Sequence, residues 1–203
     1  MITFYTYPGP NSRKAQIMLE ESGEHYDTRK IDITKGEQFD PAFLAISPNN
    51  KIPAIVDHTP HGEVPVFETA AILTYLAEKS GRLLPAAGAK RYDVLAWLVW
   101  GTGSVGGTLP QLHHYADLPD KVPGTVERFT TEAVRLFKVL ERRLQANEYI
   151  CGEYSIADIP TFCSAAGWLQ RVKQLSDGQL GDTPAIDRWL QAVAGRPALR
   201  RVG

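Results

Sequence analysis

Two short runs constrain this chain more than any other feature: Asn49-Asn50-Lys51-Ile52-Pro53-Ala54-Ile55-Val56 and Val66-Phe67-Glu68-Thr69-Ala70-Ala71-Ile72-Leu73. The first reads as a loop, a proline and a short apolar strand. The second reads as a strand end feeding a helix whose first turn carries an acid and a hydroxyl. A proline entering a strand is a candidate for a cis peptide bond, which costs only about 0.5–1 kcal/mol at X–Pro. The Ile52-Pro53 bond is such a candidate, and the loop presents the Ile52 N–H and C=O to an extended ligand. The helix opening at Glu68-Thr69 offers free N–H groups and the positive end of a dipole, which suit a carboxylate. Glu68 beside them suits an ammonium. An α-amino acid head group carries both charges, so the corner fits one end of a small peptide. The opposing reading is plain helix capping, which an acid and a hydroxyl also serve.

The 203 residues can bury a sizeable core as one large or two small domains. A hydrophobic content of 43% and a charged content of 22% are those of a soluble globular protein. The formal net charge of -1 provides no strong field to recruit nucleic acid or an anionic membrane. With no apolar run of about 18 residues, no transmembrane helix is expected. Ile2-Thr3-Phe4-Tyr5 leads directly into a strand pattern, without a basic segment or signal-peptide core. A cytoplasmic protein is the expectation. Cys151 and Cys163 fit a reducing compartment, have no metal-ligand or C-x-x-C spacing, and read as structural.

Through residue 85 the pattern alternates. Ile2–Tyr7 reads as a strand, Asn11–Ser22 as a helix closed by Gly23, and Tyr26–Ile33 as a second strand. Pro41–Ile46 reads as a short helix, and Ala54–Asp57 with Val64–Phe67 as a hairpin around His58–Glu63. Glu68–Ser80 reads as a helix with Ile72, Leu73, Leu76 and Ala77 on one face and Gly81 as its stop. The order βαβαββα argues an α/β unit. Pro85-Ala86-Ala87-Gly88-Ala89 is the linker candidate. It divides the chain into an α/β domain (1–85), a linker (86–90) and an all-helical domain (91–203). In the last of these, Val126, Phe129, Ala133, Leu136, Phe137, Leu140 and Leu144 form one apolar stripe. Tyr154-Ser155-Ile156-Ala157-Asp158-Ile159 is a helix start, with Ser155 and Asp158 capping each other's turn and Tyr154 stapled to Ile159. Pro184–Ala194 reads as the last helix.

Two motifs invite over-reading. Gly101-Thr102-Gly103-Ser104-Val105-Gly106 is a literal G-x-G-x-x-G, but a dinucleotide fingerprint needs a strand before it and an acid about 20 residues on. Asp117 and Asp120 come too early, so the small residues read as a place where helices or subunits approach closely. The pair His113-His114, without further ligands at useful spacing, gives no metal site.

Pro8-Gly9-Pro10-Asn11, Lys35-Gly36-Glu37-Gln38-Phe39, the run from Ile46 to His58 and the helix start at Tyr154–Ile159 resemble the glutathione S-transferase superfamily. The resemblance covers essentially the whole chain. Within the superfamily the chain is most similar to the bacterial nu class, which also resembles the yeast prion protein Ure2. This implies a thioredoxin-like N-terminal domain, an all-α C-terminal domain and a homodimer. It implies a glutathione site without metal or nucleotide. Glu68 and Thr69 would hold the γ-glutamyl end; many relatives have Ser at the second position, and the hydroxyl survives the change. Ile52, ahead of Pro53, would pair its backbone with the cysteinyl segment. Gln38, Asn50 and Lys51 are candidates for the glycyl end. The loop Tyr7–Ser12 would lie over the ligand's sulfur, making Asn11 and Ser12 the candidate catalytic residues, with simple capping as the other reading of both. Arg128 falls where nu-class relatives place an arginine that reaches glutathione across the dimer. Thr108, Leu112 and Tyr115 are candidates to touch a second substrate.

The chain departs from the pattern at Gly9, where relatives often carry a Thr or Ser hydroxyl. Tyr5 and Tyr7 read as strand packing rather than replacements. The resemblance implies a glutathione-dependent disulfide-bond oxidoreductase, in which the ligand's own thiolate is the nucleophile. The lost hydroxyl predicts disulfide reduction exceeding conjugation. The alternatives are a transferase conjugating glutathione to electrophiles and a non-catalytic regulatory module. The sequence names no second substrate.

Overall fold

The computed structural model describes residues 1–120 and 123–202. The chain divides into two compact units: Met1–Ala87 joined by the segment from Pro197 onward, and Gly88–Arg196. The first unit contains β1 (Ile2–Thr6), α1 (Pro10–Ser22), β2 (Tyr26–Lys30), α2 (Pro41–Leu44), β3 (Ala54–Thr59), β4 (Gly62–Phe67) and α3 (Thr69–Ser80). The strands lie in the order β2-β1-β3-β4, with β1 and β2 parallel and the other pairs antiparallel. This is the expected thioredoxin-like arrangement.

Alternation along the strands builds two layers. Tyr5, Ala54 and Val56 form one cluster with Ile31 and Phe43, against which Ile46, Ile52 and Phe67 pack. Ile2, Phe4 and Ile55 face the other way, where α1 and α3 contribute the buried Ile17, Met18, Ile72, Leu73 and Leu76. Pro65 lacks a ladder donor and is tolerated because β4 is an edge strand.

Several boundaries differ from the sequence reading, and those of β2 and of the hairpin have a visible cause. β2 stops at Lys30 rather than Ile33, because the Asp32 carboxylate accepts from the Thr34 N–H (3.2 Å) and hydroxyl (2.6 Å) and turns the chain. The hairpin strands run on to Thr59 and restart at Gly62. There the Thr59 hydroxyl donates to Gly62 O at 2.8 Å, and Gly62 supplies a φ of 125°.

The second unit contains α4 (Ala89–Val99), a π-helical segment (Trp100–Val105), α5 (Gly106–Asp117), α6 (Pro123–Gln145), α7 (Asp158–Leu175) and α8 (Pro184–Ala194). On α6 the stripe is buried at Ala133, Leu136, Phe137, Leu140 and Leu144 and half-buried at Val126 and Phe129. The G-x-G-x-x-G run follows a helix, not a strand. A Cβ on Gly101 would lie 2.4 Å from Thr161 Oγ1 on α7, so the glycine lets the π segment meet α7. The Thr161 hydroxyl is held by Ala157 O at 3.0 Å and has little freedom to yield. Gly101→Ala is expected to destabilise by about 1–3 kcal/mol through overpacking. An unchanged urea midpoint would show that the contact relaxes freely.

The helix start near Ser155 is built as read and then extended. Ser155 Oγ accepts from Ala157 N at 3.3 Å, and Asp158 Oδ2 accepts from the Ser155 N–H (2.9 Å) and hydroxyl (3.1 Å). The other oxygen, Oδ1, takes Ile150 N at 3.0 Å and Trp189 Nε1 at 2.9 Å. A local cap thereby becomes the polar centre of the helical unit.

The chain does not stop being regular at Gly195, as the sequence reading had it. A further helix, α9 (Pro197–Val202), follows and belongs to the first unit, where Arg201 pairs with Glu20 on α1. The Arg201 guanidinium, opposed by desolvation and helped by the Tyr26 hydroxyl, holds the Glu20 carboxyl below its usual range. Among the described residues no helix is long and apolar enough to cross a membrane.

Candidate functional site

Strand pairing gathers the candidate residues at one end of the first unit's sheet. Ala54 pairs with Phe67 across β3 and β4, which sets Ile52-Pro53 beside Glu68-Thr69. Tyr5 pairs with Ala54, so the loop leaving β1 and the start of α1 lie at the same end. Ile31 N donates to Thr6 O at 2.9 Å, and the segment carrying Gln38 departs from there. The Ile52–Pro53 bond is cis.

Glu68 follows β4 as the N-cap of α3, with a φ of 69° and ψ of 128°, a region that a non-glycine residue rarely occupies. Its carbonyl accepts the first helical bond, from Ile72 N at 2.9 Å, but its side chain does not cap α3. The carboxylate instead accepts from Asn49 Nδ2 at 3.1 Å. The plain capping reading of Glu68 therefore fails, and the acid is held beside the helix N-terminus rather than on it. Thr69 begins α3 and is half-buried.

The loop that supplies Asn49 is tightly made. Asn50 N donates to Ser47 O at 2.9 Å, the buried Ser47 hydroxyl donates to Lys51 O at 2.9 Å, and Asn50 takes a φ of 49°. Lys51 is exposed. Gln38 lies in a short 3₁₀ turn (Glu37–Phe39), and its Oε1 is buried without a hydrogen-bond partner among the described residues, an acceptor suited to an incoming N–H.

At the other side of the corner, α1 starts from Gly9 without a side-chain cap. Asn11 is exposed on the first turn, and its Oδ1 accepts from Lys14 Nζ at 3.0 Å. A lysine only donates, so this bond fixes the amide with its NH₂ turned outward as a donor. Ser12 is buried, and its Oγ has no hydrogen-bond partner among the described residues. Tyr5 is packed in the core, with Arg29 over its ring at 5.6 Å.

Two residues of this corner escaped the sequence reading. Asn49 was passed over for its neighbour Asn50, and Lys14 was not considered. The spacing of Lys14 from Asn11, three residues along a helix, is the signal that would have found it.

Arg128 belongs to the second unit, exposed on α6. Leu112 is fully buried there and presents no surface to a second substrate; Tyr115 stacks on Phe129 at 5.6 Å. His113 bonds to Asp117 at 2.8 Å, and among the described residues no group of three potential metal ligands forms.

The corner thus offers a held carboxylate, an uncapped helix start and a cis-proline loop. Comparison with known proteins gives it a family. Residues 1–78 match the glutathione S-transferase N-terminal domain, and residues 120–197 match the glutathione S-transferase C-terminal domain. This chain is a glutathione S-transferase family member. It is 43% identical to the disulfide-bond oxidoreductase YfcG of Escherichia coli strain K12, over 98% of this chain and 92% of that protein. A solved glutathione transferase family member from Pseudomonas fluorescens, with two glutathione bound, superposes with a TM-score of 0.87 at 38% identity. The match covers 99% of this chain and 91% of that one. A glutathione transferase from Pseudomonas putida, with one glutathione disulfide bound per subunit, gives a TM-score of 0.88 at 36% identity, covering 99% and 90%. The resemblance to the nu-class transferases read from the sequence is borne out by these relatives.

Proposed function

We propose that this protein binds glutathione at the Ile52, Glu68 and Thr69 corner and catalyses thiol–disulfide exchange with it. The observation that carries the reading is Glu68. It is held by Asn49 in a strained backbone conformation beside an uncapped helix start, and the cis Ile52–Pro53 bond lies beside it. That set matches the ammonium, carboxylate and peptide groups of one ligand. Gln38, Asn50 and Lys51 take the glycyl end, and Asn11 donates toward the sulfur.

In the reaction, the thiolate of a bound glutathione attacks a disulfide sulfur. A new mixed disulfide forms, the old S–S bond breaks, and the released thiolate takes a proton from solvent. A second glutathione thiolate then attacks the mixed disulfide, yielding glutathione disulfide and the second thiol. The protein supplies orientation and thiolate stabilisation and no cysteine of its own. The relatives solved with two glutathione or with its disulfide support this order. A cytoplasmic setting, where glutathione is kept reduced, completes it.

The test is paired kinetics with a hydroxyethyl-disulfide substrate and a chloronitrobenzene electrophile. Disulfide reduction is expected to exceed conjugation, because exchange depends less on a strongly lowered thiol pKa. Efficient conjugation with no reduction would make the protein a conventional transferase. Neither activity, with glutathione still bound, would make it a regulatory module.

The active form is proposed to be a homodimer in which Arg128 reaches the partner's ligand. Tyr92 and Val99, seven residues apart on α4, are 71% and 62% exposed and give that helix an apolar outer face. Light scattering at micromolar concentration is expected to give twice the 22.5 kDa of the chain. A monomer would remove any role for Arg128 across an interface.

A further inference from the structure

We propose that the first unit holds a second small-molecule site, on the sheet face away from α1 and α3, that takes a free α-amino acid with an apolar side chain. The site shares no residue with the Glu68 corner, and the proposal does not rest on the glutathione reading.

The site is a cavity of about 300 Å³, at the lower end of the size that small ligands occupy. Its floor is apolar. Tyr5, Ile31 and Phe43 are 8%, 7% and 3% exposed, and Ile46 packs against them. The Tyr5 and Phe43 rings lie 6.1 Å apart, so the floor suits an aromatic or aliphatic body.

The rim carries charges of both signs that do not neutralise each other. Arg29 comes from β2, where its pairing with Tyr5 across the ladder puts both side chains on one sheet face. The guanidinium lies over the Tyr5 ring at 5.6 Å. Lys30 beside it is shared with Asp32, at 3.5 Å. The acids come from the turn after β2 and the start of α2. Glu37 Oε2 accepts from Asp32 N at 2.6 Å, and Asp40 Oδ1 accepts from Ala42 N at 2.8 Å. Each backbone bond fixes a carboxylate and leaves its second oxygen, Glu37 Oε1 or Asp40 Oδ2, without a partner among the described residues. Among those residues no ion pair joins Arg29 to either acid, so opposite charges border one cavity without closing it.

A zwitterion completes this set. Its carboxylate accepts from the Arg29 guanidinium, whose paired N–H groups match a carboxylate's two oxygens. Its ammonium donates to Glu37 Oε1 and Asp40 Oδ2, and its side chain rests on the floor. A ligand with one charge fits worse. An amine leaves Arg29 unmatched, and a carboxylate without an ammonium meets the two acids unpaired. Binding makes and breaks no covalent bond.

The test titrates L-phenylalanine into the protein by calorimetry, beside phenylpropionate, which lacks the ammonium, and phenethylamine, which lacks the carboxylate. L-Phenylalanine should bind at about millimolar concentration or below, and each analogue about ten-fold more weakly. Arg29→Met keeps an unbranched stem over Tyr5 and removes the charge. It should weaken L-phenylalanine about ten-fold and leave phenethylamine unchanged. Glu37→Gln combined with Asp40→Asn keeps the oxygens that accept from the backbone and removes both negative charges. It should weaken L-phenylalanine by a similar factor and leave phenylpropionate unchanged or tighter. All three substituted residues are exposed, so the fold does not depend on them for its core. Glu68→Ala should leave L-phenylalanine binding as it is. No binding at about 10 mM overturns the proposal, as do equal affinities for the three ligands or an unaltered L-phenylalanine affinity in the Arg29 and Glu37/Asp40 variants. Loss of L-phenylalanine binding in Glu68→Ala also overturns it, because the amino acid would then occupy the Glu68 corner.

Discussion

Asp158→Ala is expected to cost about 3 kcal/mol or more of folding stability. The residue is fully buried, and its two oxygens accept from Ile150 N, Ser155 N, the Ser155 hydroxyl and Trp189 Nε1. Truncation leaves three buried N–H donors that cannot rotate to new partners, each costing about 1–3 kcal/mol. It also removes one half of the cap on α7, worth about 1 kcal/mol. A domain of ordinary stability has only about 5–15 kcal/mol to lose. Urea unfolding followed by far-ultraviolet circular dichroism measures the effect. A loss below about 1 kcal/mol would mean that the network re-forms around water. Asp158→Asn should fall between, because it keeps one acceptor and turns an NH₂ against donors.

Glu68→Ala is expected to weaken glutathione binding about 30-fold or more, which corresponds to about 2 kcal/mol. In the proposed complex the carboxylate meets the ligand's ammonium, and a hydrogen bond to a charged group is worth about 1.5–3 kcal/mol. Asn49→Ala should cost less, about five-fold, because it frees the carboxylate without deleting it. Calorimetry on the two variants separates these effects. Equal affinities in Glu68→Ala and wild type would move the ligand to another place.

The βαβαββα unit and its corner were legible because their signals are local. Ile52-Pro53 and Glu68-Thr69 lie in contiguous runs flanking one hairpin, and the Ala54–Phe67 pairing sets them side by side. What the sequence hid depends on direction or distance. Asn49 and Asn50 are the same residue type; the φ of 49° at Asn50 turns the loop and leaves Asn49 to meet Glu68. Thr59 extended the hairpin through a side-chain bond that strand patterns do not encode. The first N–H groups of helix α8, at Ala185 and Ile186, donate to the Glu141 carboxylate on α6, 44 and 45 residues earlier, so no local motif announces the cap. Leu112 sits on the buried phase of its helix, which the resemblance alone did not reveal.

The return of α9 to the first unit bears on how the protein is made. Glu20 and Arg201 are 181 residues apart. A ribosome adding about 5–20 residues per second takes roughly 10–40 s to supply the second after the first. During that interval the first unit has emerged, but the surface of α1 that α9 covers lies bare. Ala198 and Leu199, 2% and 5% exposed in the finished fold, follow the whole of the helical unit off the ribosome. Translation order and folding order therefore diverge: the helical unit, though begun later, has its whole sequence available first. A truncation after Arg196, meant to shorten the helical unit, would instead strip a wall from the other one.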